Sequence, residues 1–243
     1  MKTRNAVHAF TLIELLVVIA IIGILAAMLL PALAGAKDRT KKMKCINNAK
    51  QMTAGLQMYC DENEEFLPDY GRNFNYYFWY HRVLKYAGWD HKLLMCPGIT
   101  VKTTGWWGSH KRSWQAWNRV RELYNGRTVP GAYAYNGWLH SNRGQWDTRY
   151  NYKMEDGKPS STPTMTDAMW VDAWPTENNA PPPSYWGGNN SSMARVCVNR
   201  HDGTVVSGFK DGRADSVRLP DLWTLTWHLR WNRSTPNNRA PMP

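Results

Sequence analysis

An unbroken apolar run from Leu15 to Leu30 follows directly on the hexapeptide Ala9-Phe10-Thr11-Leu12-Ile13-Glu14, and a short basic leader, residues 1–9 with Lys2 and Arg4, precedes it. Residues 10–30 are 21 positions; as a helix they rise about 31 Å at ~1.5 Å per residue, against a hydrocarbon core about 30 Å thick. The pattern predicts a membrane-spanning helix. Over 31–64 the pattern changes. Apolar positions fall at Leu33, Ala36, Met43, Ile46, Ala49, Thr53, Leu56 and Tyr59, with Lys37, Lys41, Lys44, Asn48 and Gln51 on the other side. Steps of three and four mark an amphipathic helix. One continuous helix is therefore expected, apolar all round over 10–30 and one-sided over 31–64, ended by the stretch from Asn63 to Pro68.

Residues 65–231 are long enough for one globular domain with its own core. Trp79 to Tyr86 reads as a short helix, and Leu94-Met95-Cys96-Pro97 as a short buried segment closed by proline. Ala132 to Trp138 reads as a strand entering an Asn136-Gly137 turn. Met169 to Asp172 is a further strand, and Ala180 to Ser184, with Pro181, Pro182 and Pro183, is a loop. The Asp-Gly pairs 202–203 and 211–212 separate β-rich runs at 196–201, 204–210 and 213–219. Asp-Gly suits type I′ hairpin turns, which need positive φ at both central residues, so a three-stranded antiparallel meander is expected. Leu219 to Trp227 closes it, helical from Pro220. The fold class is thus α+β, a long N-terminal helix packed on a C-terminal antiparallel sheet. Residues 232–243 form a Pro/Asn/Arg tail expected to be disordered.

Glu14 is the anomaly. A carboxylate inside a lipid-bound segment costs several kcal/mol and needs a reason. A secretory signal peptide cut after Ala32-Leu33-Ala34 is one account of the apolar run; retention of the helix is the other. The hexapeptide resembles the processing motif of the type IV prepilins and type II secretion pseudopilins, a small residue followed by Phe-Thr-Leu-Ile-Glu and a long apolar run. The resemblance implies that a prepilin peptidase cuts between Ala9 and Phe10, that Phe10 is N-methylated, and that Glu14 becomes the fifth mature residue. The chain departs from the family in carrying Ala9 where Gly is usual, while Pro31 matches a proline the family often has. In a bundle of such helices the Glu14 carboxylate meets the charged amine of Phe10 on a neighbour, and one axial stagger alone satisfies both buried charges.

The resemblance further implies a pseudopilin- or pilin-like structural subunit assembled into a periplasmic or surface filament. Its partners would be the prepilin peptidase, other pseudopilin subunits and the inner (cytoplasmic) membrane. It would be crossed once, with the globular domain in the periplasm or on an extracellular filament. Counting flanking cations gives the opposite orientation, because Lys37, Arg39, Lys41, Lys42 and Lys44 outnumber Lys2 and Arg4. The motif carries the expectation.

Nine residues separate His201 from Asp211-Gly212. This resembles the His-x9-Asp-Gly signature of prepilin-type, processing-associated proteins, whose following Leu/Trp run is matched by Leu219, Leu222, Trp223, Leu225, Trp227 and His228. Cys45 to Gln51 and Cys96-Pro97 share that resemblance. The plain structural reading has His201 ending a strand and bonded across the hairpin, with Asp211 making the turn. No cofactor is expected apart from calcium, which type II major pseudopilins carry in a C-terminal loop. Asp202, Asp211 and Asp215 are its candidates here, but Lys210 and Arg213 interleave with them, whereas calcium takes six to eight oxygens.

Four cysteines allow two disulfides in three connectivities. Along a continuous helix Cys45 and Cys60 lie about 22 Å apart, beyond the ~7 Å a disulfide tolerates. Cys45 with Cys96 and Cys60 with Cys197 is the expected pairing, and free buried thiols are the alternative. The spacings match no zinc motif, and there is no C-x-x-C.

The net charge of +11 falls to +9 once Lys2 and Arg4 are removed, a surface that attracts polyanions. With 14 tryptophans, among them Trp106, Trp107, Trp114, Trp138 and Trp170 near Lys111, Arg112, Arg119 and Arg121, a second function is a displayed binding module for acidic polysaccharide or DNA. Tryptophan as core filler is the competing account. No G-x-S-x-G, H-E-x-x-H or phosphate-cradling glycine loop is present, so the chain is not expected to be an enzyme.

Overall fold

The first helix, α1, runs Leu12–Glu62 as one element of 51 residues. The computed structural model describes residues 11–64, 67–68, 79–101, 106–116, 129–140, 149–150, 153–185 and 192–232. The leader with Ala9 and Phe10, and the tail beyond residue 232, lie outside them. Pro31 sits within α1; it removes one backbone hydrogen bond without ending the helix. The chain divides into two compact units, Met1–Thr40 and Lys41–Pro243, so the division falls inside α1 beyond the expected change at Leu30. In the first unit every described side chain through Thr40 is exposed. Among the described residues α1 is the one helix long and apolar enough to cross a membrane.

In the second unit α1 buries Cys45, Asn48, Ala49, Met52, Thr53, Gly55, Leu56 and Cys60. Steps of three and four place these on one face. That face is rotated from the expected stripe: Leu33 and Met43 remain 65% and 63% exposed, whereas Asn48 turns inward. Its carboxamide is satisfied there, Nδ2 donating to the Met95 carbonyl at 3.0 Å, so burying it is not costly. The remaining elements are α2 (Trp79–Tyr86), β1 (Trp114–Ala116), β2 (Val129–Gly131), β3 (Tyr133–Asn136), β4 (Pro163–Asp167), β5 (Asp172–Ala173), α3 (Ser192–Val196), β6 (Thr204–Phe209) and β7 (Ala214–Arg218).

Strands β1 and β2 pair with each other, and a five-stranded sheet runs β5-β3-β4-β6-β7, antiparallel except for the β3–β5 pair. Successive strand residues point to opposite faces. Tyr133, Tyr135 and Val206 accordingly join the cluster containing Cys45, Met52 and Leu56, while Ala134 and Val205 join the one containing Met193, Leu222 and Trp227. The sheet is thus packed on both faces, one of them against α1. Contact with α1 is close at Gly208, where a Cβ would lie 2.1 Å from Thr53 Oγ1. Beside it, Thr53 Oγ1 and Thr164 Oγ1 are 3.2 Å apart. The fold is the expected α+β arrangement.

The C-terminal region differs from the expected meander in one strand. β6 and β7 do form a hairpin, but through Lys210-Asp211-Gly212. Phe209 N–H donates to Arg213 O at 2.8 Å and Gly212 N–H to Phe209 O at 3.0 Å. Gly212 has φ +88°. This is the three-residue loop with a bulge glycine rather than a type I′ turn. At Asp202-Gly203 both φ values are positive, 51° and 72°, yet no hairpin forms, because 196–201 is not a strand. Ser192–Val196 coil into α3, and the neighbour position on β6 is taken by β4. The strand expected at Met169 to Asp172 is shifted to Asp172–Ala173, and the closing segment is a 3₁₀ helix over Leu219–Thr224.

Candidate functional site

At the start of α1, Glu14 Oε2 accepts hydrogen bonds from Thr11 N–H and Thr11 Oγ1, each at 2.8 Å, and Thr11 Oγ1 accepts from Glu14 N–H at 3.2 Å. This is a capping box, Thr-x-x-Glu, which satisfies otherwise orphaned backbone donors and sets a carboxylate at the positive end of the helix dipole. In the single chain, then, Glu14 already has a local role. The sequence contains the box in Thr11 and Glu14, but the processing motif obscures it.

A second constellation lies inside the domain. Cys45 comes from α1, Cys96 from the segment after the 3₁₀ turn at His91–Leu94, Asp167 from the end of β4, and His201 from the loop before β6. Their ligating atoms lie within 4.8 Å of one another, and all four residues are buried. His201 Nε2 is 3.2 Å from Cys96 Sγ and 3.4 Å from Asp167 Oδ2. Asp167 Oδ2 also accepts the Val206 N–H at 2.9 Å, and Arg200 Nη1 lies 3.4 Å from Oδ1. Arg200 donates further to the carbonyls of Ser109, Ala132 and Ala168.

Burial by itself would raise the Asp167 carboxyl. Hydrogen bonding and charge from His201, with the Arg200 guanidinium and the Val206 N–H, outweigh it and hold the group below the usual carboxylate range. Burial pulls His201 down, but its hydrogen bonds to Asp167 and Cys96 prevail and push it up to about 9. The Cys96 thiol is driven well up, chiefly by burial and then by its hydrogen bond with Cys45.

His201 therefore belongs to a buried polar cluster, but not with Asp211. The two stand at opposite ends of β6. Asp211 makes the hairpin loop, its Oδ1 accepting Arg213 N–H at 3.2 Å, and a Cβ on Gly212 would lie 2.8 Å from Gln57 Nε2. The three calcium candidates do not converge either. Asp202 lies at the His201 end, while Asp211 and Asp215 both face the Arg213 guanidinium, at 3.4 and 3.7 Å. All four cysteines are free and buried, so neither expected disulfide is formed. Cys45 and Cys96 share the cluster above without a bond. Cys60 and Cys197 belong to the apolar clusters on opposite faces of the sheet, which separates them. Asp167 and Arg200 escaped the sequence reading. The one local sign of Asp167 is a carboxylate ending the β-prone run Pro163-Thr164-Met165-Thr166.

The aromatic platform is divided: Trp106 and Trp107 remain 40% and 39% exposed. Trp114 and Trp138 are buried, their indole N–H groups donating to the carbonyls of Tyr133 and Pro175 at 3.2 and 2.7 Å. Trp107 stacks on Trp170 with centroids 4.4 Å apart, and the Arg195 guanidinium lies over Trp107 while pairing with Asp172 at 2.6 Å. Arg119 and Arg121 lie outside the described residues.

The family description "Prokaryotic N-terminal methylation motif" matches residues 4–30. The type II secretion system core protein G of Klebsiella michiganensis is 36% identical over 63 residues, 26% of this chain and 44% of that protein. Its counterpart in Escherichia coli K12 is 35% identical over 66 residues, 27% of this chain and 46% of that protein. The Vibrio cholerae protein of the same name is 33% identical over 66 residues, 27% of this chain and 45% of that protein. The chain spans less than half the length of these curated relatives. No solved structure matches it.

Proposed function

We propose that this chain, which carries a prepilin-type methylation motif and is similar to the type II secretion core protein G, is a pseudopilin-like structural subunit. It is inserted in the inner membrane, cut between Ala9 and Phe10 by a prepilin peptidase, N-methylated at Phe10, and polymerised through the first part of α1 with other pseudopilin subunits. The domain stands on the periplasmic side or on a surface filament. The observation that carries this reading is that the motif, residues 4–30, runs into a helix from Leu12 whose side chains through Thr40 are all exposed. Each Leu, Ile or Val moved out of water gains about 1.5–3 kcal/mol, and an apolar surface of this extent requires lipid or neighbouring copies as cover. The role is structural rather than catalytic, since its chemistry is processing and packing at the N-terminus.

A photo-cross-linking residue at Ile19, 60% exposed in the single chain, tests this in membranes containing the full chain and its prepilin peptidase. The expected result is a ladder of dimers and higher multimers. Adducts to lipid alone would contradict the polymer.

A further inference from the structure

We propose that Cys45, Cys96, Asp167 and His201 form a four-ligand site for Zn(II) inside the domain. Two sulfurs, one imidazole nitrogen and one carboxylate oxygen are a donor set that zinc takes tetrahedrally, and thiolates disfavour calcium and magnesium. Zinc bond lengths of about 2.0–2.3 Å imply tetrahedral ligand–ligand edges of about 3.3–3.8 Å. Here the Cys96–His201 and His201–Asp167 separations are 3.2 and 3.4 Å, and no pair of ligating atoms exceeds 4.8 Å. His201 Nε2 faces sulfur and carboxylate together, the position a lone pair directed at a shared ion would occupy.

The surroundings fit a metal equally well. Val206 N–H and Arg200 hold the Asp167 carboxylate in place, and Gly98 N–H donates to Cys96 Sγ at 3.3 Å, the outer-shell bonding that orients ligands. Charge also closes. Two thiolates, a carboxylate and Zn(II) sum to −1, and the Arg200 guanidinium, whose side chain is 0% exposed beside a 0% exposed Asp167, brings the total to zero. Four protein ligands leave no open position, so the ion would be structural. It would tie α1 to the Cys96 segment, to β4 and to the loop before β6, and its binding energy would add to folding.

The test uses the full chain in detergent, stripped of metal and kept reduced, then titrated with Zn(II) and separately with Co(II). One zinc per chain is expected, and Co(II) should show thiolate-to-cobalt charge transfer with the intense visible bands of four-coordination. Cys96→Ser should roughly halve the charge transfer, because the Cys45 thiolate remains. His201→Gln should weaken zinc binding beyond the about 10–100-fold that loss of an outer-shell partner costs. If either variant fails to fold, the wild-type stoichiometry and cobalt spectrum decide. A reduced chain that takes up no zinc overturns the proposal, as does a six-coordinate cobalt spectrum. So does a chain isolated without reductant that carries a Cys45–Cys96 disulfide and no zinc.

Discussion

Glu14→Gln should leave the start of α1 helical and abolish assembly. A Gln at this position still accepts the Thr11 N–H, since the capping box works with Glu or Gln, so the local bonds seen at 2.8 Å have a neutral replacement. What it lacks is charge. In the polymer the amine of Phe10 on a neighbouring copy would then be buried without its counter-ion, and breaking a buried pair costs about 3–5 kcal/mol. At about 1.4 kcal/mol per tenfold, that lowers subunit affinity by more than 100-fold. Glu14→Ala loses both functions. The cross-linking ladder from Ile19 should vanish in both variants, whereas isotope-edited infrared spectra of the first turn should stay helical in the Gln variant and fray in the Ala variant. A Gln variant that multimerises like wild type would reduce Glu14 to a helix cap.

Asp167→Asn should cost the metal-free chain about 3–5 kcal/mol, a large share of the about 5–15 kcal/mol that holds a domain together. Asp167 is fully buried, and its carboxylate meets His201, Arg200 and the Val206 N–H. An amide leaves the Arg200 guanidinium charged in the core with only the carbonyls of Ser109, Ala132 and Ala168. It also presents N–H groups where His201 or Val206 donates. Adding Arg200→Met should recover part of the loss by removing the stranded charge, and only part, because those three carbonyls then lose their donor. Urea unfolding of the domain in detergent, followed by tryptophan fluorescence, measures it. A loss under about 1 kcal/mol would mean that the pair is hydrated like a surface bridge.

Local signals were legible in the sequence and non-local ones were not. The reach of α1, the short helix at Trp79 to Tyr86 and the hairpin of β6 with β7 follow from periodicity and turn residues a few positions apart. The buried face of α1 was misjudged by a partial turn because Asn48 looks like a surface residue until Met95 arrives to accept its N–H. The run 196–201 looked like a strand because Val196, Val198 and the Asp202-Gly203 turn suit one, but the edge of β6 was already taken by β4.

The buried cluster shows the same limit. Cys45, Cys96, Asp167 and His201 come from four separate segments, so no spacing rule finds them. Nine residues lie between His201 and Asp211, and the plain structural reading joins the two across one hairpin. The six-residue strand between them, Thr204–Phe209, carries the two to its opposite ends.

The central claim is that the apolar stem is kept when the precursor matures. Intact-mass measurement of the chain recovered from membranes that contain a prepilin peptidase tests it most directly. The account predicts the mass of residues 10–243 plus one methyl group, located on Phe10 by fragmentation. A mature chain beginning beyond Ala34 would contradict it, because such a product has lost Glu14 and the span with it.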